Sequence, residues 1–174
     1  MRATTKMIMA KRALSARLGA DAAKWACAML ESGSDTPHLR MVAGTTGHEN
    51  TFELDELVDR ALKELNFSVP SKNTGLVLYA QELAQDYLNS GISRDELLQT
   101  ICQLCIDTDY FKPLYPFYIL RWAWDDLQDE DFSPHRQDVN RANFEDTLRS
   151  EIKALLETKY AEPIAPANAS EPRR

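Results

Sequence analysis

Residues 51–65 read TFELDELVDRALKEL, and in them Leu54, Leu57, Val58, Ala61, Leu62 and Leu65 recur every three or four positions, with Asp55, Glu56, Asp59, Arg60 and Lys63 between them. That spacing lays an apolar stripe along one side of a 3.6-residue helix; a strand would need alternation every two residues. Thr51 stands where a capping hydroxyl belongs, and Asn66 with Pro70 closes the segment.

The same periodicity extends in both directions. Upstream it predicts a helix over 20–31, with Ala22, Trp25, Ala26, Met29 and Leu30 on one stripe and Gly33 at a left-handed C-terminal cap. Thr36 before Pro37 predicts a capped short helix through Leu39 and Val42 that Gly44 ends. Downstream, Leu76, Ala80, Leu83, Ala84, Tyr87 and Leu88 mark a helix over 74–89 closed by Gly91, and Ser93 with Glu96 forms a capping box opening the next, which carries Leu97, Leu98, Ile101, Leu104 and Cys105. Pro116 suits the first turn of a helix to about Leu127, with Phe117, Leu120, Trp124 and Leu127 inward, and a last helix over 140–160 aligns Phe144, Leu148, Ile152, Leu155 and Leu156. No segment alternates convincingly, and no repeat of fixed period occurs. The fold class is therefore all-α, a single compact helical bundle or short helical array of about six to eight helices.

A chain of 174 residues can bury about 70% of its unfolded surface as one domain. The reading divides it into a basic N-terminal arm or helix at 1–19, a helical domain at 20–160, and a tail, AEPIAPANASEPRR at 161–174, with too little apolar content to offset ordering and so expected to be disordered. No apolar stretch reaches the roughly 18 residues of a spanning helix. Net charge is −7, unevenly spread: Arg2, Lys6, Lys11, Arg12 and Arg17 give the first twenty residues +5, leaving −12 for the rest. An acidic body repels phosphate backbones and steers basic proteins, so nucleic acid would be met only through the basic arm. The arm also has the Arg-rich, acid-free look of a mitochondrial targeting segment; a basic first helix is the preferred reading, because nothing marks a cleavage point before Ala20.

Cys27, Cys102 and Cys105 cannot all pair with one another, and they read as reduced core thiols of a cytoplasmic protein. Cys102 and Cys105 form C-x-x-C without the second ligand pair that a zinc site needs. His38, His48 and His135 lie far apart; His48, in a glycine-containing loop beside Glu49, is the best placed for general-base work. Testing Asp129 as the start of a calcium loop fails, because Pro134 takes the glycine position and Asn140 the final glutamate position; Glu82 and Asp86 are the only spacing match for a two-helix cage. No phosphate loop or nucleophile elbow is present. No cofactor, catalytic residue or metal ligand is assigned.

The segment 110–131, YFKPLYPFYILRWAWDDLQDED, passes from dense aromatics directly into acids. Phe117 and Trp124 share the inward face of its helix, while Tyr118 and Trp122 share a neighbouring one. Tyr118, Trp122, Asp125, Asp126, Asp129 and Glu130 are the expected partner-binding residues, since exposed aromatics anchor protein interfaces and surrounding acids speed encounter with a basic partner.

Trp25, Asp35, Thr36, Leu39, Arg40, Ala43 and Gly44, within WACAMLESGSDTPHLRMVAG, resemble a pattern of short uncharacterised bacterial all-α proteins. The resemblance covers about a quarter of the chain. It implies a small cytoplasmic bacterial protein of a kind found beside toxin or phage-defence genes, and it brings no site residue. The resulting expectation is a cytoplasmic protein-binding module, immunity-type or defence-associated, neutralising a basic partner. The alternatives are a metal-dependent hydrolase using the Asp125 to Asp131 carboxylates with His48, and a homodimer joined through its aromatic face.

Overall fold

A computed structural model describes residues 3–47 and 50–159. His48, Glu49 and the tail expected at 161–174 lie outside the described residues. Among the described residues every regular element is helical: α1 (Thr5–Ala13), α2 (Ala20–Glu31), α3 (Pro37–Ala43), α4 (Thr51–Glu64), α5 (Lys72–Leu88), α6 (Arg94–Asp107), a 3-10 turn (Lys112–Leu114), α7 (Tyr115–Asp129) and α8 (Phe144–Glu157). Among the described residues none of these helices is long and apolar enough to cross a membrane. The helices group into two compact units, residues 3–75 and 76–159, with the line falling inside α5.

The first unit closes around Ile8, Leu18, Ala22, Trp25, Ala26, Leu39, Val42, Leu54, Val58, Ala61 and Leu62. Trp25 is 1% exposed, and its indole N–H donates to the Thr5 hydroxyl at 3.0 Å, which supplies the partner that a buried indole requires. The N-terminal segment is thus no detached arm. Met7, Ile8 and Ala10 are buried, and two of its cations turn inward: Lys11 to Asp21 at 2.6 Å, and Arg12 to Asp59 at 2.8 Å and Asp55 at 2.7 Å. Burial holds the Asp55 carboxyl above its ordinary range, outweighing the pull of Arg12.

Helix ends follow local chemistry, with some substitutions of part for part. Gly33 takes φ +93, and the N–H of Ser34 reaches back to Met29 O at 3.0 Å, the expected left-handed cap. Asn50, not Thr51, caps α4, its Oδ1 accepting from Phe52 N at 3.0 Å; a side-chain carbonyl one residue earlier outcompetes the hydroxyl. Thr36 holds the N-cap position of α3 without capping it. Glu64 from α4 does that work, accepting from His38 N at 3.1 Å and meeting the His38 ring at 2.5 Å. Thr36 and His38 together keep the Glu64 carboxyl below its usual range.

In the second unit Ser90, at φ +59, takes the left-handed position at the end of α5, and Gly91 only donates back to Asp86 O at 2.7 Å. Ser93 Oγ accepts from Glu96 N at 3.1 Å, as the capping box requires. The last helix begins at Phe144, not Asn140, because Asn140 Oδ1 accepts from Ala142 N at 2.9 Å and Asn143 Oδ1 accepts from Asn140 N at 2.8 Å, folding the backbone into a turn first. Phe144, Leu148, Ile152 and Leu155 are buried, whereas Leu88 and Leu156 remain at the surface. Cys102 and Cys105 are buried free thiols; Cys27, expected in the core, is exposed on the polar side of α2.

Candidate protein-binding face

All the expected binding residues lie on or just beyond α7 in the second unit. Residues 76–159 hold sixteen acidic and eight basic side chains, while 3–75 hold nine of each, so the negative charge of the body resides in the unit that carries this face. Pro116 starts α7 in its first turn, and Phe117, Leu120, Ala123 and Leu127 are buried inward. Trp124 is half-buried beside them: the Arg94 guanidinium lies 3.5 Å over its ring, and Phe144 packs at 4.7 Å.

The remaining side of α7 carries the aromatics that its core does not use. Trp122 is 41% exposed, and its ring lies 6.3 Å from that of Tyr118. Tyr118 in turn stacks on Tyr115 at 5.7 Å and meets Tyr110 edge-on at 5.2 Å. His135 reaches Trp122 from the loop after α7, centroid to centroid 6.2 Å. Partial desolvation, and then Tyr110, push the Tyr118 phenol above its ordinary value. The sequence reading found two members of this row and missed Tyr110, Tyr115 and His135. Tyr115 was legible, since 115, 118 and 122 share a helix side. Tyr110 was not, because it arrives through two successive left-handed residues, Asp109 at φ +52 and Tyr110 at φ +58, after α6 has ended.

The acids divide into two groups. Asp125 is ion-paired with Arg121 one turn back on the same helix. Asp126 accepts from Ser133 Oγ at 2.6 Å, and the same oxygen accepts from His135 N at 3.1 Å, so this carboxylate ties down the loop. Asp129 and Glu130 are exposed, and among the described residues no ion pair occupies their carboxylates. Three acids, Asp126, Asp129 and Glu130, thus crowd the last turn and C-cap of α7, where the helix dipole is negative and each unfavourable placement costs about 0.3–1 kcal/mol. Arg141 offsets part of this, donating to Leu127 O at 2.5 Å and Gln128 O at 3.1 Å.

Elsewhere in this unit a shallow polar groove of about 540 Å³ is lined by Tyr87, Ser90, Ser93, Arg94, Glu96 and Arg149. Its cations are engaged: Arg94 by Trp124, and Arg149 by Glu145 at 3.1 Å. Tyr87 donates to Glu145 at 2.5 Å, and burial followed by this carboxylate pushes its phenol up to about 12. Among the described residues no group of three or more His, Cys, Asp or Glu side chains is placed to hold a metal ion. His48, the general-base candidate, lies outside them. Compared with protein-family models, curated proteins and solved structures, the chain matches none.

Proposed function

We propose that this chain is a cytoplasmic protein-binding module whose partner is a basic protein, neutralised by docking on the α7 face. The observation that carries the reading is Trp122, 41% exposed within a connected row of rings on the helix that ends in the exposed Asp129 and Glu130, whose carboxylates no ion pair occupies among the described residues. Acids at the negative end of a helix are unfavourable there, and it is the joining of exposed rings into one row, not a single exposed indole, that marks a contact surface. Exposed aromatics supply most of the energy at protein interfaces, and acids around them accelerate encounter with a cation-rich surface. A reducing compartment suits three free thiols. Within the proposal the anchors are Tyr118 and Trp122; Asp129 and Glu130 steer, while Asp125 and Asp126 hold the face in shape.

The test is capture from the source cytoplasm with three baits: wild type, Trp122→Ala, and Asp129→Asn with Glu130→Gln. A basic protein retained by wild type, lost with Trp122→Ala, and weakened by the charge variant in a salt-sensitive way supports the reading. Equal retention on all three overturns it. So does a dimer in sedimentation equilibrium that Trp122→Ala dissolves, because the face would then be a contact between copies.

A further inference from the structure

Tyr115, Tyr118 and Trp122 follow one another along α7 at intervals of three and four residues, so their rings form a row on one side of the helix. Successive centroids are 5.7 and 6.3 Å apart, and Tyr110 closes on the two tyrosines at 6.3 and 5.2 Å. Those separations are rings packed against rings. A cage for a quaternary ammonium keeps its ring faces apart to admit the cation between them, and this cluster has no such space. What it offers outward is a corrugated ridge of aromatic carbon.

The ridge has a period. Seven residues at 1.5 Å each place Tyr115 and Trp122 about 10.5 Å apart along the helix axis. One turn of polyproline II, three residues at 3.1 Å, advances about 9.3 Å and leaves its carbonyls without internal partners. Two prolines three residues apart therefore span the outer rings. Charge sets the flanks. Between residues 107 and 131 the chain has seven acids and two bases; Arg121 is taken by Asp125, and Lys112 is the other base. Asp107 and Asp109 stand before Tyr110, and Asp129 and Glu130 beyond Trp122, all exposed.

Resting on the protein-binding reading above, we propose that the segment this face accepts is proline-rich, in the polyproline II conformation, with arginine or lysine at its flanks. The experiment uses fluorescence polarisation of three labelled synthetic peptides against the full chain: hexaproline with two arginines at each end, the same arginines around a Gly-Ser hexamer, and hexaproline with serine ends. The expected result is that the first binds about tenfold more tightly than either control, and that Tyr115→Ala and Trp122→Ala each weaken it about fivefold or more. Both ring variants should keep the wild-type melting temperature, since both side chains are at the surface. Equal binding of the two arginine-ended peptides overturns the proline-rich inference and leaves the basic-partner reading standing. Binding unaffected by either ring variant overturns the site. No binding of any peptide overturns the inference as well, while the capture experiment judges the broader reading separately.

Discussion

Ser133 donates a 2.6 Å hydrogen bond to the Asp126 carboxylate, and Ser133 is fully buried although it sits in the loop after α7. Removing the hydroxyl leaves a partly buried carboxylate without its donor and frees the N–H of His135. Ser133→Ala should therefore cost about 1–3 kcal/mol of stability by urea denaturation. Asp129→Asn should stay within about 0.5 kcal/mol, as exposed substitutions do. If the two variants unfolded at the same urea concentration, Asp126 would not be the structural acid of the set.

Trp25→Ala should lose about 3–5 kcal/mol, because it empties a fully buried site. Thr5→Ala should lose about 1–3 kcal/mol by stranding the indole N–H. A double-mutant cycle checks the link: the second loss should largely disappear in the Trp25→Ala background.

Trp122→Ala should leave the melting temperature nearly unchanged and weaken partner binding by about 2 kcal/mol or more. Neutralising Asp129 and Glu130 should instead slow association, and that effect should fade as salt shortens the screening length below about 8 Å. Stopped-flow association rates at two ionic strengths separate the two contributions.

The helices were readable from spacing because burial is periodic: Leu54, Val58, Ala61 and Leu62 had to face one way whatever they met. The caps were readable in kind but not always in person. Asn50 displaced Thr51, and Glu64 served α3 from another helix, because a backbone N–H takes whichever acceptor tertiary contact brings. For the candidate face the sequence showed the aromatic and acidic content of α7. It could not tell Asp126, tied by Ser133, from Asp129, which stays exposed, since that difference depends on where a loop returns. Nor could spacing reveal Arg94 over Trp124, a contact between helices.

Thiol chemistry offers a simple check of burial. With Ellman's reagent the native protein should release one equivalent quickly, from Cys27, and the other two only on unfolding. Burial raises both core thiols, Cys105 to about 11, so their reactive thiolates are scarce at neutral pH. Three fast equivalents would show that α6 is not packed as described.

Tyr87 predicts an alkaline signature. Its folded phenol is held at about 12 against an ordinary value of 10, so folding favours the protonated form. The stability this contributes is complete below pH 10 and is lost as pH rises from 10 to about 12. Absorbance titration of tyrosinate should show a late step that Tyr87→Phe removes.

The successive left-handed residues Asp109 and Tyr110 each carry a backbone cost on the order of 1–2 kcal/mol. A library screened only for heat resistance should consequently accumulate glycine or asparagine at these positions, where such residues relax the turn at little loss of packing. Every such winner would remove a ring from the row or loosen the turn that delivers it. If the proposed recognition holds, thermal robustness and binding pull this turn in opposite directions.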